Sequence, residues 1–285
     1  MYSAQRRQSK GRSPEDTEVT VIERPVLLNY AGALLAGAAY PLAFAPFGVW
    51  PVALGSIATL LFCLNRTVLV HTFGILLFFG IGKYAIGTSW IYEGLITLGN
   101  IKPSLATGLV SAFVLFYSLF FAIALTVVKF WVGLTAPQFR RSRHLAIRSL
   151  PFCAGWLLFE QANYLTALDT SFPWLDLGYA FTDTWLAGLA PIGGITLVSA
   201  TAVAGVVGLL MLASMPRVSL LVIGAPWIAG ALLLQQEWTQ AERELDVALV
   251  QADVSIAEKF AEDGLDLAWE THVDLSLQAQ DADIV

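Results

Sequence analysis

Seven apolar runs, each near the ~20 residues that cross a bilayer, leave this chain few folds to choose from. They lie at about 26–43, 49–64, 68–87, 104–128, 145–163, 185–214 and 218–235. A backbone in lipid must satisfy its own hydrogen bonds, so such runs become helices. The second run is short, and the sixth is long enough to tilt or to break at Gly193-Gly194. The punctuation between runs is Pro46 and Pro51, Arg66, Pro103, Pro137 with a basic stretch, Pro173, and Pro216-Arg217. Composition agrees: 56% of residues are hydrophobic and 13% charged, against about 25% charged in a soluble domain.

Placement of positive charge sets the expected orientation. The segment before the first run holds Arg6, Arg7, Lys10, Arg12 and Arg24. The turn between the second and third runs holds Arg66, and the loop between the fourth and fifth holds Lys129, Arg140, Arg141, Arg143 and Arg148. With Arg217, 12 of the 16 basic residues fall on one side, and the opposite loops hold only Lys102. This predicts a cytoplasmic N-terminus and an outer location for everything after about residue 236. Residues 1–25 read as a disordered cytoplasmic tail. The net charge of −6 argues against a nucleic-acid partner.

Two outward loops are unusually aromatic. One contains Trp90, Tyr92 and Glu93; the other contains Phe172, Pro173, Trp174, Asp176 and Tyr179. An interfacial aromatic belt accounts for such rings in any multi-span protein. The alternative is a lipid-facing entrance, in which rings hold acyl chains and a few acids meet a headgroup. Within the spans, Lys83 and Glu160 are ionisable and therefore functional hypotheses by default, although Lys83 is near enough to the outer edge to snorkel. Cys63 and Cys153 sit in apolar runs and read as small hydrophobes. No metal site and no cofactor is expected.

After a polar linker at 236–244 the character changes. Leu245–Val254 reads as a mostly buried strand, Ser255 as an N-cap, and Ile256–Gln278 as one long amphipathic helix that Gly264 can interrupt. Asp283-Ile284-Val285 reads as the start of a second strand. Strand, helix, strand is the opening of an α/β layer domain, and 245–285 holds about a third of the 100 or more residues such a domain needs.

These pieces resemble the bacterial apolipoprotein N-acyltransferases. The residues that carry the resemblance are Phe44-Ala45-Pro46-Phe47-Gly48-Val49-Trp50-Pro51, Gly87-Thr88-Ser89-Trp90-Ile91-Tyr92, Phe172 through Tyr179, Leu189-Ala190-Pro191-Ile192-Gly193-Gly194 and Val250-Gln251-Ala252-Asp253-Val254. The resemblance implies about seven transmembrane helices followed by the truncated start of an outward α/β nitrilase-like domain. It also implies a bacterial inner-membrane location, a phospholipid acyl donor, and the N-terminal diacylglyceryl-cysteine of a lipoprotein as acceptor.

In that family a Cys thiolate takes the acyl group as a thioester, a Glu serves as base and a Lys steadies the oxyanion. None of the three maps onto this sequence. The family's Glu follows the second strand, where this sequence ends at Val285, and its Lys, Cys and last span lie further on. Cys63 and Cys153, being in spans, cannot stand in. Phe260, a further lipid-facing candidate, stands where the family tends to carry a Trp after the first nitrilase strand, and Glu160-Gln161-Ala162-Asn163 replaces a Glu-x-x-Arg. The expectation is thus the N-terminal part of an acyltransferase that is inactive by itself. A non-enzymatic module, binding lipid or pairing with a separate catalytic half, is the alternative; a transporter is disfavoured by the scarcity of charge within the spans.

Overall fold

A computed structural model describes residues 24–65, 67–142, 144–165, 172–240 and 242–285. The tail expected at 1–25 therefore lies outside the described residues up to residue 23. Helices occupy all seven apolar runs: α1 (Arg24–Ala39), α2 (Pro51–Cys63), α3 (Leu69–Gly87), then, past a short α4 (Trp90–Thr97), α5 (Pro103–Thr135). A short α6 (Pro137–Arg141) leads to α7 (Leu145–Leu165), followed by α8 (Ala190–Met211) and α9 (Pro216–Leu233). Among the described residues, five helical stretches are long and apolar enough to cross a membrane: Val26–Ala43, Leu69–Gly87, Pro103–Thr135, Trp185–Met211 and Pro216–Leu233. Pro51–Cys63 is apolar but shorter. This is a helical membrane domain.

Proline starts these helices where the sequence placed its punctuation. Pro51, Pro103, Pro137 and Pro216 each stand in the first turn, where the missing N–H costs nothing. The break expected in the sixth run is present: Gly193 and Gly194 leave helical geometry, Gly194 with φ 62°, a region open to glycine. Two boundaries differ from expectation. α5 runs on to Thr135, beyond the expected end at 128, because the Lys129 ammonium finds oxygen partners along the bundle and the helix stops only at Ala136-Pro137. The aromatic segment after the third run is not a loop but helix α4, which packs on α5.

α3 lies between α1 and α5, and α8 is surrounded by α2, α7 and α9. The centre is aromatic: Tyr40, Phe79, Phe121, Trp156 and Phe159 are all buried and in ring contact in a chain of pairs. The outward faces are apolar instead of polar, with Leu28, Val70, Leu115 and Leu221 exposed, as expected where the surrounding medium is lipid.

The expected strand at Leu245–Val254 does not form. A single parallel bridge joins Val247 to Ile284, supported by bonds from the Ala248 amide to the Ile284 carbonyl (2.9 Å) and from the Ile284 amide to the Asp246 carbonyl (3.2 Å). Nor is the segment buried; Leu249 is 94% exposed, since one bridge supplies neither a sheet nor a second layer. The expected single helix is two, α10 (Ile256–Lys259) and α11 (Gly264–Leu277). They are so close at the joint that a side chain at position 264 would overlap the Glu258 carbonyl. Ser255 does cap α10, in a reciprocal box with Glu258.

Candidate functional site

The second aromatic loop is folded into three short 3₁₀ turns, Pro173–Leu175, Leu177–Phe181 and Trp185–Leu189. Leu175, Asp176, Leu177 and Gly178 are buried, whereas Trp174 and Tyr179 are exposed. Polar groups from three different helical segments hold this buried stretch by its backbone. The Tyr40 hydroxyl donates to the Leu175 carbonyl (3.2 Å), and the Leu177 amide donates to Oε1 of Glu160 (2.8 Å). The Gly178 amide donates to the Ser199 hydroxyl (2.8 Å). Trp156 Nε1 donates to the same Glu160 oxygen (2.7 Å), one turn earlier on α7. Gly178 also permits the backbone to press against the Ile195 carbonyl, 2.6 Å from where a Cβ would stand.

Beneath the loop sits Lys83, 1% exposed. Its ammonium lies 4.9 Å from the centroid of Tyr40, 5.1 Å from Trp156, 5.2 Å from Tyr84, 5.8 Å from Phe121 and 5.9 Å from Phe159. Five rings of that kind form a cation–π cage. The acidic groups whose charge acts on it are Asp176 and Glu160, each 2% exposed. One cation and two carboxylates are thus enclosed together, so the domain is not short of internal charge, contrary to the sequence reading. Lys83 does not snorkel: the cage and the acids keep its head inside.

The candidate residues divide accordingly. Trp90 and Trp174 meet edge to face at 6.3 Å, both largely exposed, and so join the two aromatic segments. Phe172 is buried against Phe113 (5.1 Å) and Tyr117 (5.5 Å) of α5. Pro173 and Tyr92 are half-buried, and Glu93 and Tyr179 are exposed. Asp176 faces inward, toward Lys83, and offers no carboxylate to a headgroup. Phe260 is exposed at the end of α10 and makes none of the ring contacts around Trp90 and Trp174 among the described residues. Asn163, the residue that replaces the charge of Glu-x-x-Arg, is buried.

Chemically this arrangement is a fastening with an apolar rim. The two hydroxyls that hold the loop backbone, those of Tyr40 and Ser199, are both buried and engaged. The cysteines sit elsewhere, Cys63 buried in α2 and Cys153 partly buried in α7. What the face presents outward is a pair of tryptophans above apolar helices, a surface suited to hydrocarbon chains.

The sequence of the whole domain has close relatives. A family profile described as the apolipoprotein N-acyltransferase N-terminal domain matches residues 36–208. The apolipoprotein N-acyltransferase of Pseudomonas putida is 35% identical over 271 residues, covering 93% of this chain and 52% of the relative. That of Azotobacter vinelandii is 36% identical over 267 residues (90% and 49%), and that of Coxiella burnetii 34% over 247 residues (84% and 48%). The chain spans about half the length of the curated relatives it matches. By the match over most of its helical bundle, the chain belongs to the apolipoprotein N-acyltransferase family.

Proposed function

We propose that residues 26–235 form the membrane domain of a bacterial inner-membrane acyl-transfer system, in which the Trp90–Trp174 face admits a phospholipid acyl chain. The acyl group would pass from the phospholipid ester to a thiolate and then, as an amide, to the α-amine of a lipoprotein's N-terminal diacylglyceryl-cysteine. That sequence releases the lysophospholipid in the first half and regenerates the thiolate in the second. The observation that carries the reading is the loop 172–181 itself: in a chain of this family, three buried groups fix its backbone while its tryptophan meets Trp90 at an apolar surface.

In this reading the face with Trp90 and Trp174 is periplasmic and the face with Arg66, Lys129 and Arg148 is cytoplasmic. All seven helices that occupy the apolar runs, the shorter α2 included, cross the bilayer, α7 among them with its polar side turned inward. Residues 236–244 are a linker, and 245–285 open a nitrilase-like domain, of which the Val247–Ile284 bridge is the first pairing. In this reading the chain of residues 1–285 does not transfer acyl groups alone, because its two thiols lie in membrane helices, Cys63 buried and Cys153 partly buried.

Two measurements test this. Phospholipid carrying a photoreactive acyl chain, incorporated with the chain in vesicles, should label 90–97 and 172–181 above the other helices. Even labelling along every helix would remove the entrance. Incubation with acyl-labelled phospholipid should leave no hydroxylamine-sensitive acyl group on the chain; a thioester at Cys63 or Cys153 would refute the inactivity of this segment.

A further inference from the structure

The other end of α3 borders a cavity unrelated to the loop face. Thr72 precedes Lys83 by three helical turns, about 17 Å at 1.5 Å per residue, and lines a cavity of about 740 Å³. The walls come from the end of α2, the start of α3, the end of α5, the α6 turn and the start of α7. This volume falls within the range of a small-molecule site.

Its polar side is positive. Lys129, Arg141 and Arg148 line it, and no Asp or Glu does so among the described lining residues. Lys129 Nζ is held by the Thr67 carbonyl (3.0 Å), the Thr67 hydroxyl (3.1 Å) and the Thr72 hydroxyl (2.5 Å). Arg148 donates from Nε (3.2 Å) and Nη2 (2.7 Å) to Asn65 Oδ1, and from Nη1 to the Ser142 carbonyl (2.7 Å). Each of these acceptors is uncharged. The Lys129 ammonium is therefore oriented by neutral oxygens at the cavity wall; by sequence, Arg66, Arg140 and Arg143 add three more cations to the same turns. The remaining walls are apolar, Leu76, Leu125 and Phe152 among them. Val68, Phe130 and Leu134 line the cavity and are themselves exposed, so it opens sideways through apolar residues, toward the acyl region.

We propose that this cavity binds one anionic phospholipid from the leaflet on the basic face, with its phosphate among Lys129, Arg148 and Arg141 and its chains along the apolar wall. Oriented cations suit a phosphate, and basic pockets between membrane helices are the usual seats of anionic headgroups. The lateral apolar opening favours a lipid over a free phosphate. A zwitterionic headgroup would carry its own cation into the same positive field. This lipid is distinct from an acyl donor at the Trp90–Trp174 face, because it lies at the opposite end of α3.

The test is a titration of the purified chain, in neutral detergent, with fluorescent phosphatidylglycerol and with a phosphatidylcholine of the same chains. Saturable one-to-one binding of the anionic lipid is expected, at least about tenfold tighter than the zwitterionic one, the loss typical of one charge-assisted hydrogen bond. Lys129→Gln should weaken it by about tenfold, while Lys129→Arg stays close to the parent. Should Lys129→Gln fail to fold, Arg141→Gln, an exposed position, should still weaken binding severalfold. Equal binding of the two lipids, or unchanged binding in Arg141→Gln and Lys129→Gln, would overturn the proposal in favour of non-specific lipid contact. Complete displacement by inorganic phosphate would overturn it in favour of a free-anion site.

Discussion

Replacing Lys83 by methionine tests the role of the enclosed charges most directly. Methionine fills a similar volume within the five-ring cage but leaves Glu160 and Asp176, both 2% exposed, without the cation whose charge they feel. Removing one partner from a buried charged group costs about 3–5 kcal/mol. For a chain of this size each kcal/mol lowers the melting temperature by about 2–4 °C, so Lys83→Met should melt about 6–20 °C below the parent. The two cysteines supply the assay: Cys63 is buried and Cys153 partly buried, and a thiol-reactive dye that fluoresces on coupling reports their exposure during heating in detergent. The triple variant Lys83→Met, Glu160→Gln, Asp176→Asn provides the control. Glutamine can still accept from Trp156 Nε1 and the Leu177 amide, no charge is left unpaired, and most of the loss should be recovered. A Lys83→Met protein melting within about 2 °C of the parent would refute the argument, as would a triple variant no more stable than the single one.

Two further outcomes concern packing and the segment after α9. Gly82→Ala should cost about 3 kcal/mol or more, because a methyl there would overlap the Leu34 carbonyl on α1; Gly224→Ala, with nothing within 4 Å, should gain up to about 1 kcal/mol, and the same thiol melt separates them. In the tail, the Ser255 hydroxyl and then the Ser255 amide hold the Glu258 carboxyl below the usual carboxylate range. A group depressed in the folded state contributes fully above its unfolded range and loses that contribution as pH falls through its folded value. Amide exchange at 256–260 should therefore accelerate as pH falls below the usual Glu range, after correction for intrinsic rates, and Ser255→Ala, which removes the hydroxyl but keeps the amide, should reduce that pH dependence; exchange that tracks the intrinsic rate in both proteins would disprove the cap.

Much of the helical domain was legible because its determinants are local. Length of apolar run and first-turn proline fix where α2, α5 and α9 begin, and a glycine pair fixes the break at Gly193-Gly194. The errors arose where distant groups decide the outcome. Lys129 read as the end of a helix, yet its ammonium reaches Thr67 and Thr72, far away in sequence, so α5 continues. The segment Trp90–Thr97 read as loop, yet it coils against α5. Leu245–Val254 has the composition of a buried strand, but burial is a property of the layers around it, and a single bridge provides none.

The site shows the same division more sharply. Sequence alone flagged Lys83 and Glu160 as ionisable groups within spans, without any means of knowing that the chain brings them together 77 positions apart. Asp176 was grouped with the surface because it lies among Phe172, Trp174 and Tyr179, residues typical of an interface. What reverses its direction is the demand of its neighbours' backbone. Once the Leu175 carbonyl and the Leu177 and Gly178 amides are bound by Tyr40, Glu160 and Ser199, residue 176 must enter the core with them, and a carboxylate can enter only if a cation is already there. Lys83 supplies it, held by rings that would otherwise be ordinary packing. The charged core and the exposed tryptophans are therefore one device: the first fixes the loop so that the second can stand at a defined place on the apolar face.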